Sequence, residues 1–116
     1  KLCSEYRQSL NEMDTILYQW SYQNTIAYNS YRLQVLGPLV ELKNIYIEVR
    51  SLQVPTCLDD AHGKMLDYMD AVIRWYEALY LGNMDYIASH PTIGETELQM
   101  FKDSLERENQ CNLVCD

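Results

Sequence analysis

Residues 57–81, CLDDAHGKMLDYMDAVIRWYEALYL, carry the clearest structural pattern in this chain of 116 residues. Apolar residues recur there at alternating steps of three and four: Leu58, Ala61, Met65, Tyr68, Val72, Trp75 and Leu79. Such spacing places one apolar stripe along a helix. Two pairs also put an acid four positions before a base, which is the favourable helical order. These pairs are Asp60 with Lys64 and Asp70 with Arg74. The stretch therefore predicts a long helix over about residues 57–81.

Three further helices are predicted around this one. The first covers about residues 4–36, with a bend expected at Asn29-Ser30, and Asn24 interrupts its apolar stripe. The other stripe residues are Leu10, Met13, Leu17, Trp20, Ala27 and Tyr31. Gly37-Pro38 is expected to end this helix and begin the second, over about 38–53. A short helical turn is expected over 84–89, followed by a last helix over about 93–110.

The predicted fold is all-α, in a single domain covering residues 1–116. Four glycines and three prolines are too few for the many turns of a β-sandwich or barrel. Short connections make consecutive helices antiparallel neighbours. The sequence therefore predicts an up-down-up-down four-helix bundle with a long first helix, pinned by two disulfides.

The disulfides are predicted from four widely spaced cysteines, Cys3, Cys57, Cys111 and Cys115. An even number in a short chain is typical of an oxidising compartment, which favours a secreted, periplasmic or cell-surface protein. The preferred pairing is Cys57–Cys111 with Cys3–Cys115, and the exchanged pairing, Cys3–Cys111 with Cys57–Cys115, stays open. A four-thiolate zinc site is the alternative, although only the last two cysteines come near the usual ligand spacing.

The charge distribution restricts the partners. The net charge is −8, and residues 51–116 supply all of it, because residues 1–50 carry five basic and five acidic groups. Nucleic acid needs a positively charged face, so neither DNA nor RNA is an expected partner. No apolar run approaches the ~20 residues that cross a bilayer. The oligomeric state is not predicted.

Catalytic or metal chemistry finds little support in the sequence. Neither His62 nor His90 accompanies a nucleophile motif, and no glycine-rich phosphate loop occurs, so no enzyme and no cofactor are predicted. The alternative function is a helical bundle that holds a metal or cofactor. In that interpretation Asp59 and His62, three residues apart, form half of a metal site. Helix capping and attraction to the helix dipole explain the same acidic group, and we favour that interpretation.

Ten tyrosines, against one phenylalanine, are the remaining unusual feature. Amphipathic aromatic residues are typical of partly solvated cores and of binding surfaces. Four are predicted to form a surface patch or groove: Tyr18, Tyr22, Tyr76 and Tyr80. The sequence thus favours a small exported, non-catalytic helical module that binds an unknown protein or small ligand.

Overall fold

A computed structural model describes residues 2–107 of the chain, with side chains from Ser4 onward. Its five α-helices are α1 (Leu2–Tyr28), α2 (Leu36–Ser51), α3 (Asp59–Leu81), α4 (Met84–Ser89) and α5 (Glu95–Arg107). Short 3-10 turns, Arg32–Gln34 and Thr56–Leu58, precede α2 and α3. No strand occurs within the described residues, which confirms the all-α class. None of these helices is long and apolar enough to cross a membrane.

Helix α1 ends at Tyr28, eight residues before the predicted end, and polar side chains explain the early stop. The Asn29 side-chain amide donates to the Thr25 carbonyl at 2.8 Å, and the Ser30 hydroxyl donates to the Ile26 carbonyl at 2.7 Å. The Thr25 carbonyl also accepts from the Asn29 backbone N–H at 3.2 Å, whereas the Ser30 backbone N–H donates to the Ala27 carbonyl, so the Ser30 hydroxyl replaces the helical partner of Ile26. The chain therefore leaves the helix at the predicted bend, and Tyr31 has an extended backbone.

Gly37 does not end the first helix, so that part of the prediction is wrong, whereas Pro38 lies in the first turn of the second helix as predicted. Both residues lie inside the first turn of α2, which begins at Leu36. Proline is tolerated there because its missing N–H would have no partner within the helix. The predicted apolar face of α2 is confirmed, and its buried residues are Leu39, Leu42, Ile45 and Val49.

Helix α3 is the central element, since α2, α4 and α5 all pack against it. Its predicted stripe is buried at Ala61, Met65, Tyr68 and Val72, while Trp75 and Leu79 are only partly buried and pack against the core. A second set of α3 side chains is also buried: Met69, Ile73, Tyr76 and Ala78. One stripe was predicted, but a helix covered on several sides buries more than one face.

Polar contacts fix α5 against the start of α3. The buried Ser104 hydroxyl donates to the Asp60 carboxylate, which also forms ion pairs with Lys64 and Arg107 at 3.8 and 3.5 Å. These contacts lower the pKa of Asp60, and the Ser104 hydrogen bond is the largest cause. Phe101 is buried on the same helix, as its spacing predicted. The predicted continuation of this helix to residue 110 lies outside the described residues.

Gly94 lies between the last two helices, where the chain passes close to α3. Its φ is +73°, in the left-handed region that favours glycine. A Cβ atom at this position would lie 2.9 Å from Val72 Cγ2 and 3.2 Å from Tyr68 Cδ1. Only glycine combines this backbone conformation with the space that α3 leaves.

We therefore expect Gly94→Ala to lower the free energy of unfolding by about 2–4 kcal/mol, through backbone strain and overpacking. Urea denaturation monitored by circular dichroism would measure the change. Gly63→Ala is the matched control, because Gly63 lies within α3 with no atom near its Cβ position. That substitution should stabilise the protein by about 0.5–1 kcal/mol. Equal effects of both substitutions would contradict the close approach at Gly94.

Candidate functional site

A long groove runs along the surface between α1 and α2. Its first part, nearer the α1 N-terminus, has a volume of about 770 Å³ and is lined by residues that include Arg7, Glu12, Thr15, Glu48 and Leu52. Its second part has a volume of about 370 Å³ and is lined by residues that include Tyr18, Tyr22, Glu41, Asn44 and Ile45. Glu48 lines both parts, so they adjoin each other, and we call the two together the α1–α2 groove.

Exposed apolar side chains accompany the second part of the groove. Tyr18 and Tyr22 are 79% and 64% exposed. Ile26, one helical turn beyond Tyr22, is also exposed, as is Val40, one turn before Asn44 on α2. Residues four apart share a helix face, so these side chains extend the apolar lining along both helices. Exposed apolar surface next to a polar rim is typical of a site that contacts another molecule.

The structure separates the four tyrosines that were predicted to share a patch. Tyr18 and Tyr22 line the groove, but Tyr76 is only 1% exposed, so its assignment to a surface patch is wrong. Tyr80 is half-buried and packs against the core. The cause is the central position of α3, which leaves little of its surface for an external ligand.

Tyr76 instead belongs to a buried polar network that joins α1 to α3. Its hydroxyl donates to the Asn24 side-chain oxygen at 2.9 Å. The Trp20 indole N–H donates to the Tyr68 hydroxyl at 3.2 Å, and the rings of these two residues lie 5.9 Å apart. Asn24 was the one polar residue in the predicted α1 stripe, and the network gives it a partner within the core.

The network keeps its hydroxyl groups protonated. Burial raises the pKa of the Tyr76 hydroxyl well above its usual range, and the nearby Tyr68 and Tyr28 hydroxyls raise it further. Burial also raises the pKa of Tyr68, against the opposing effect of its hydrogen bonds to Trp20 and Asn24. Both hydroxyls are therefore neutral at pH 7, and this network holds no ionised group for catalysis.

A second cleft, of about 560 Å³, lies between the end of α1, α3 and the segment before α5. Trp75 and Tyr28 line it, together with Thr92 and Glu95. The Trp75 indole N–H donates to the His90 carbonyl at 2.9 Å, and the His90 ring stacks on Tyr86 at 3.9 Å. The side chains beside this cleft thus hold the α4 segment in place.

Asp59 and His62, the metal alternative from the sequence, do not form a metal site with their neighbours. His62 Nε2 lies 2.7 Å from the Val49 carbonyl, and because a carbonyl only accepts, this nitrogen is the donor. His62 therefore links α3 to α2. Across the described part of the chain, no group of three or more His, Cys, Asp or Glu side chains is placed to hold a metal ion.

Cys57 is the one predicted disulfide residue whose side chain the structure describes. It lies in the 3-10 turn before α3, partly buried against the core. The side chains of Cys3, Cys111 and Cys115 lie outside the described residues.

The sequence predicted a surface patch or groove that includes Tyr18 and Tyr22, but not that α2 would form its other wall. The sequence does contain a pattern for one wall of the groove, because polar residues recur at helical spacing along one side of α1: Gln8, Glu12, Thr15 and Gln19. Polar residues at that spacing also describe an ordinary solvated face. Only the packing of α2 beside α1 turns this face into one wall of a depression.

Comparison with known protein families, with curated proteins and with solved structures finds no match for this chain.

The buried network can be tested with a double-mutant cycle. Asn24→Ala removes the nearer acceptor of the Tyr76 hydroxyl and leaves only the Asn24 backbone carbonyl, at 3.4 Å. It should cost about 1–2 kcal/mol, while Tyr76→Phe should cost about 1 kcal/mol. Because the two side chains share one hydrogen bond, we expect a coupling energy of about 0.5–3 kcal/mol in urea denaturation. Asn44→Ala, at an exposed position in the groove, is the control and should change stability by less than about 0.5 kcal/mol. Strict additivity of the two core substitutions would contradict the network.

Proposed function

We propose that this chain is a small exported, non-catalytic interaction module, and that the α1–α2 groove is where it engages its partner. The observation that carries the proposal is the exposure of Tyr18 and Tyr22, 79% and 64%, within one groove. Tyrosine supplies a large contact area at low conformational cost and is enriched at protein interfaces. A partner that buries these two rings would gain the free energy of removing their apolar surface from water.

The hydrogen bonds of the two histidines support the non-catalytic part of the proposal. His62 is bound to the Val49 carbonyl, and His90 Nδ1 lies 2.9 Å from the Tyr86 carbonyl. Each histidine therefore uses a ring nitrogen in a structural hydrogen bond. The Ser89 hydroxyl lies 3.0 Å from His90 Nδ1, but this nitrogen donates to the Tyr86 carbonyl and so cannot take a proton from Ser89, whose hydroxyl donates to the same carbonyl.

We propose an up-down-up-down arrangement for the four long helices, α1, α2, α3 and α5. Contacts between α1 and α2, between α2 and α3, and between α3 and α5 support it. The direction of α5 is supported at both of its ends. Gly94 lies beside Tyr68 and Val72, whereas Arg107 pairs with Asp60 near the start of α3.

The proposed location outside the cytoplasm depends on the disulfides. Two observations support a crosslink from Cys57 to the C-terminal segment. Cys57 is not a free thiol, and the end of α5 at Arg107 lies beside Asp60, three residues after Cys57. A pairing of Cys57 with Cys111, and of Cys3 with Cys115, remains the preferred arrangement.

The groove can be tested by capture of partners from the extracellular fraction of the source organism. We expect Tyr18→Ser/Tyr22→Ser to reduce specific capture about tenfold or more, because exposed aromatic anchors dominate binding energy at interfaces. Tyr28→Ser/Tyr31→Ser is the matched control, since both residues are highly exposed but neither lines the groove. Capture that is equally strong with both double variants would contradict a role for the groove.

The disulfides can be tested by intact mass of native material, alkylated before and after reduction. We expect no alkylation before reduction and four alkylated cysteines after it. Peptide mapping should then join the Cys57 peptide to one that contains Cys111 or Cys115. Four free thiols in freshly isolated protein would contradict both the crosslinks and the proposed compartment.

A further inference from the structure

The α1–α2 groove is strongly acidic, although the half of the sequence that forms it is neutral. Residues 1–50 contain five acidic groups, and four of them line the groove or its continuation beyond Gln8 and Glu12. These four are Glu5, Glu12, Glu41 and Glu48. Folding has therefore concentrated on one surface nearly all the negative charge of these two helices.

Three basic groups of residues 1–50 form contacts outside the groove. Lys43 Nζ pairs with Glu77 of α3 at 2.7 Å, and Arg32 Nε donates to the Tyr80 carbonyl at 3.1 Å. The Arg50 guanidinium lies over the Tyr46 ring, 5.8 Å from its centroid. Among the described residues, Arg7 is the one cation that lines the groove or its continuation. The groove lining therefore carries three carboxylates, and its continuation a fourth, against one guanidinium.

We propose that the occupant of the α1–α2 groove is a cationic amphipathic helix of a partner protein. This inference rests on the function proposed above and adds the chemistry of the partner. The apolar side of such a helix would contact Tyr18 and Tyr22, and its lysine or arginine side chains would reach Glu41 and Glu48. Amphipathic helices bind grooves between helices in this way, with apolar anchors at i, i+3, i+4 and i+7.

The dimensions of the groove suit a helix. Its α1 wall extends from Ser4 to Gln23, which corresponds to about 28 Å, or about five helical turns, at 1.5 Å per residue. An occupant of about 20 residues would therefore contact the groove along its whole length. A small ligand would be poorly enclosed, because Tyr18 and Tyr22 remain mostly exposed to solvent.

Charge disfavours a second copy of this chain as the occupant. Each copy carries a net charge of −8, and two grooves facing each other would bring six carboxylates together against two guanidinium groups. Like charges across an interface cost free energy and slow association. A cationic partner gains from the same field, which also accelerates its encounter with the groove.

The test uses three fluorescently labelled synthetic peptides of about 20 residues, a length matched to the groove at 1.5 Å per residue. The first carries leucine at helical spacing and lysine or arginine on its other face. In the second, glutamate replaces each basic residue. The third has the composition of the first in an order that forms no apolar face. Fluorescence anisotropy with the full chain should show binding of the first peptide at least tenfold tighter than that of the others, and weaker binding at high salt.

Charge-neutralising variants localise the binding. Glu41→Gln/Glu48→Gln should weaken binding of the first peptide about three- to tenfold. Glu95→Gln/Glu106→Gln, which changes the net charge equally at exposed positions on α5, should leave it unchanged. Circular dichroism of both variants would verify that the fold is retained. Equal weakening by the two variants would overturn the proposal, because binding would then follow the overall charge rather than the groove.

Three other outcomes would also overturn it and would show where the error lies. If no cationic peptide binds while Tyr18→Ser/Tyr22→Ser still abolishes partner capture, the groove binds a partner of different chemistry. If sedimentation shows a dimer that the same two substitutions disrupt, the occupant is a second copy of the chain. If neither the peptide nor a partner is bound, the proposed function fails together with this inference.

Discussion

The arrangement of the helices depends on the buried hydrogen bonds between α1 and α3. Trp20 donates to the Tyr68 hydroxyl, and Asn24 accepts from the Tyr76 hydroxyl. A buried polar group without a partner costs about 1–3 kcal/mol, so a rotation or slip of α1 that broke both bonds would be strongly disfavoured. Apolar packing alone would allow α1 to take many neighbouring registers against α3, whereas these two hydrogen bonds form together in only one register. The best-attested use of a buried polar residue is this selection of a register.

The same register determines which tyrosines reach the surface. Trp20 and Asn24 point towards α3, and each follows a tyrosine, Tyr18 or Tyr22, by two positions. Two residues correspond to a rotation of about 200° around a helix. Tyr18 and Tyr22 must therefore point away from α3, where they line the groove beside α2. Helix α1 therefore contacts the core with one side and lines the groove with the opposite side, and its rotation about its own axis determines both.

The sequence predicted those features that depend on local spacing. The α2 face and the main stripe of α3 follow from steps of three and four, and both are confirmed. The burial of Tyr76 was not predictable in this way, because it depends on α3 having neighbours on several sides. The early end of α1 depends on side-chain bonds at Asn29 and Ser30 that compete with a strong apolar pattern. The acidity of the groove was hidden because residues 1–50 sum to zero charge, and only folding separates the two signs.

The Asp60 carboxylate, which joins α3 to Ser104 and Arg107 of α5, has a consequence for the conditions that the fold tolerates. Its pKa in the folded state lies below the ordinary value of 3.8. A carboxylate whose pKa is lowered by folding stabilises the folded state at pH values above its pKa in the unfolded chain. That stabilisation is lost as the pH falls through the pKa of the folded state. Mild acidification, to about pH 5, therefore leaves this carboxylate ionised and the junction intact. This tie between the central and last helices would therefore persist in weakly acidic solution.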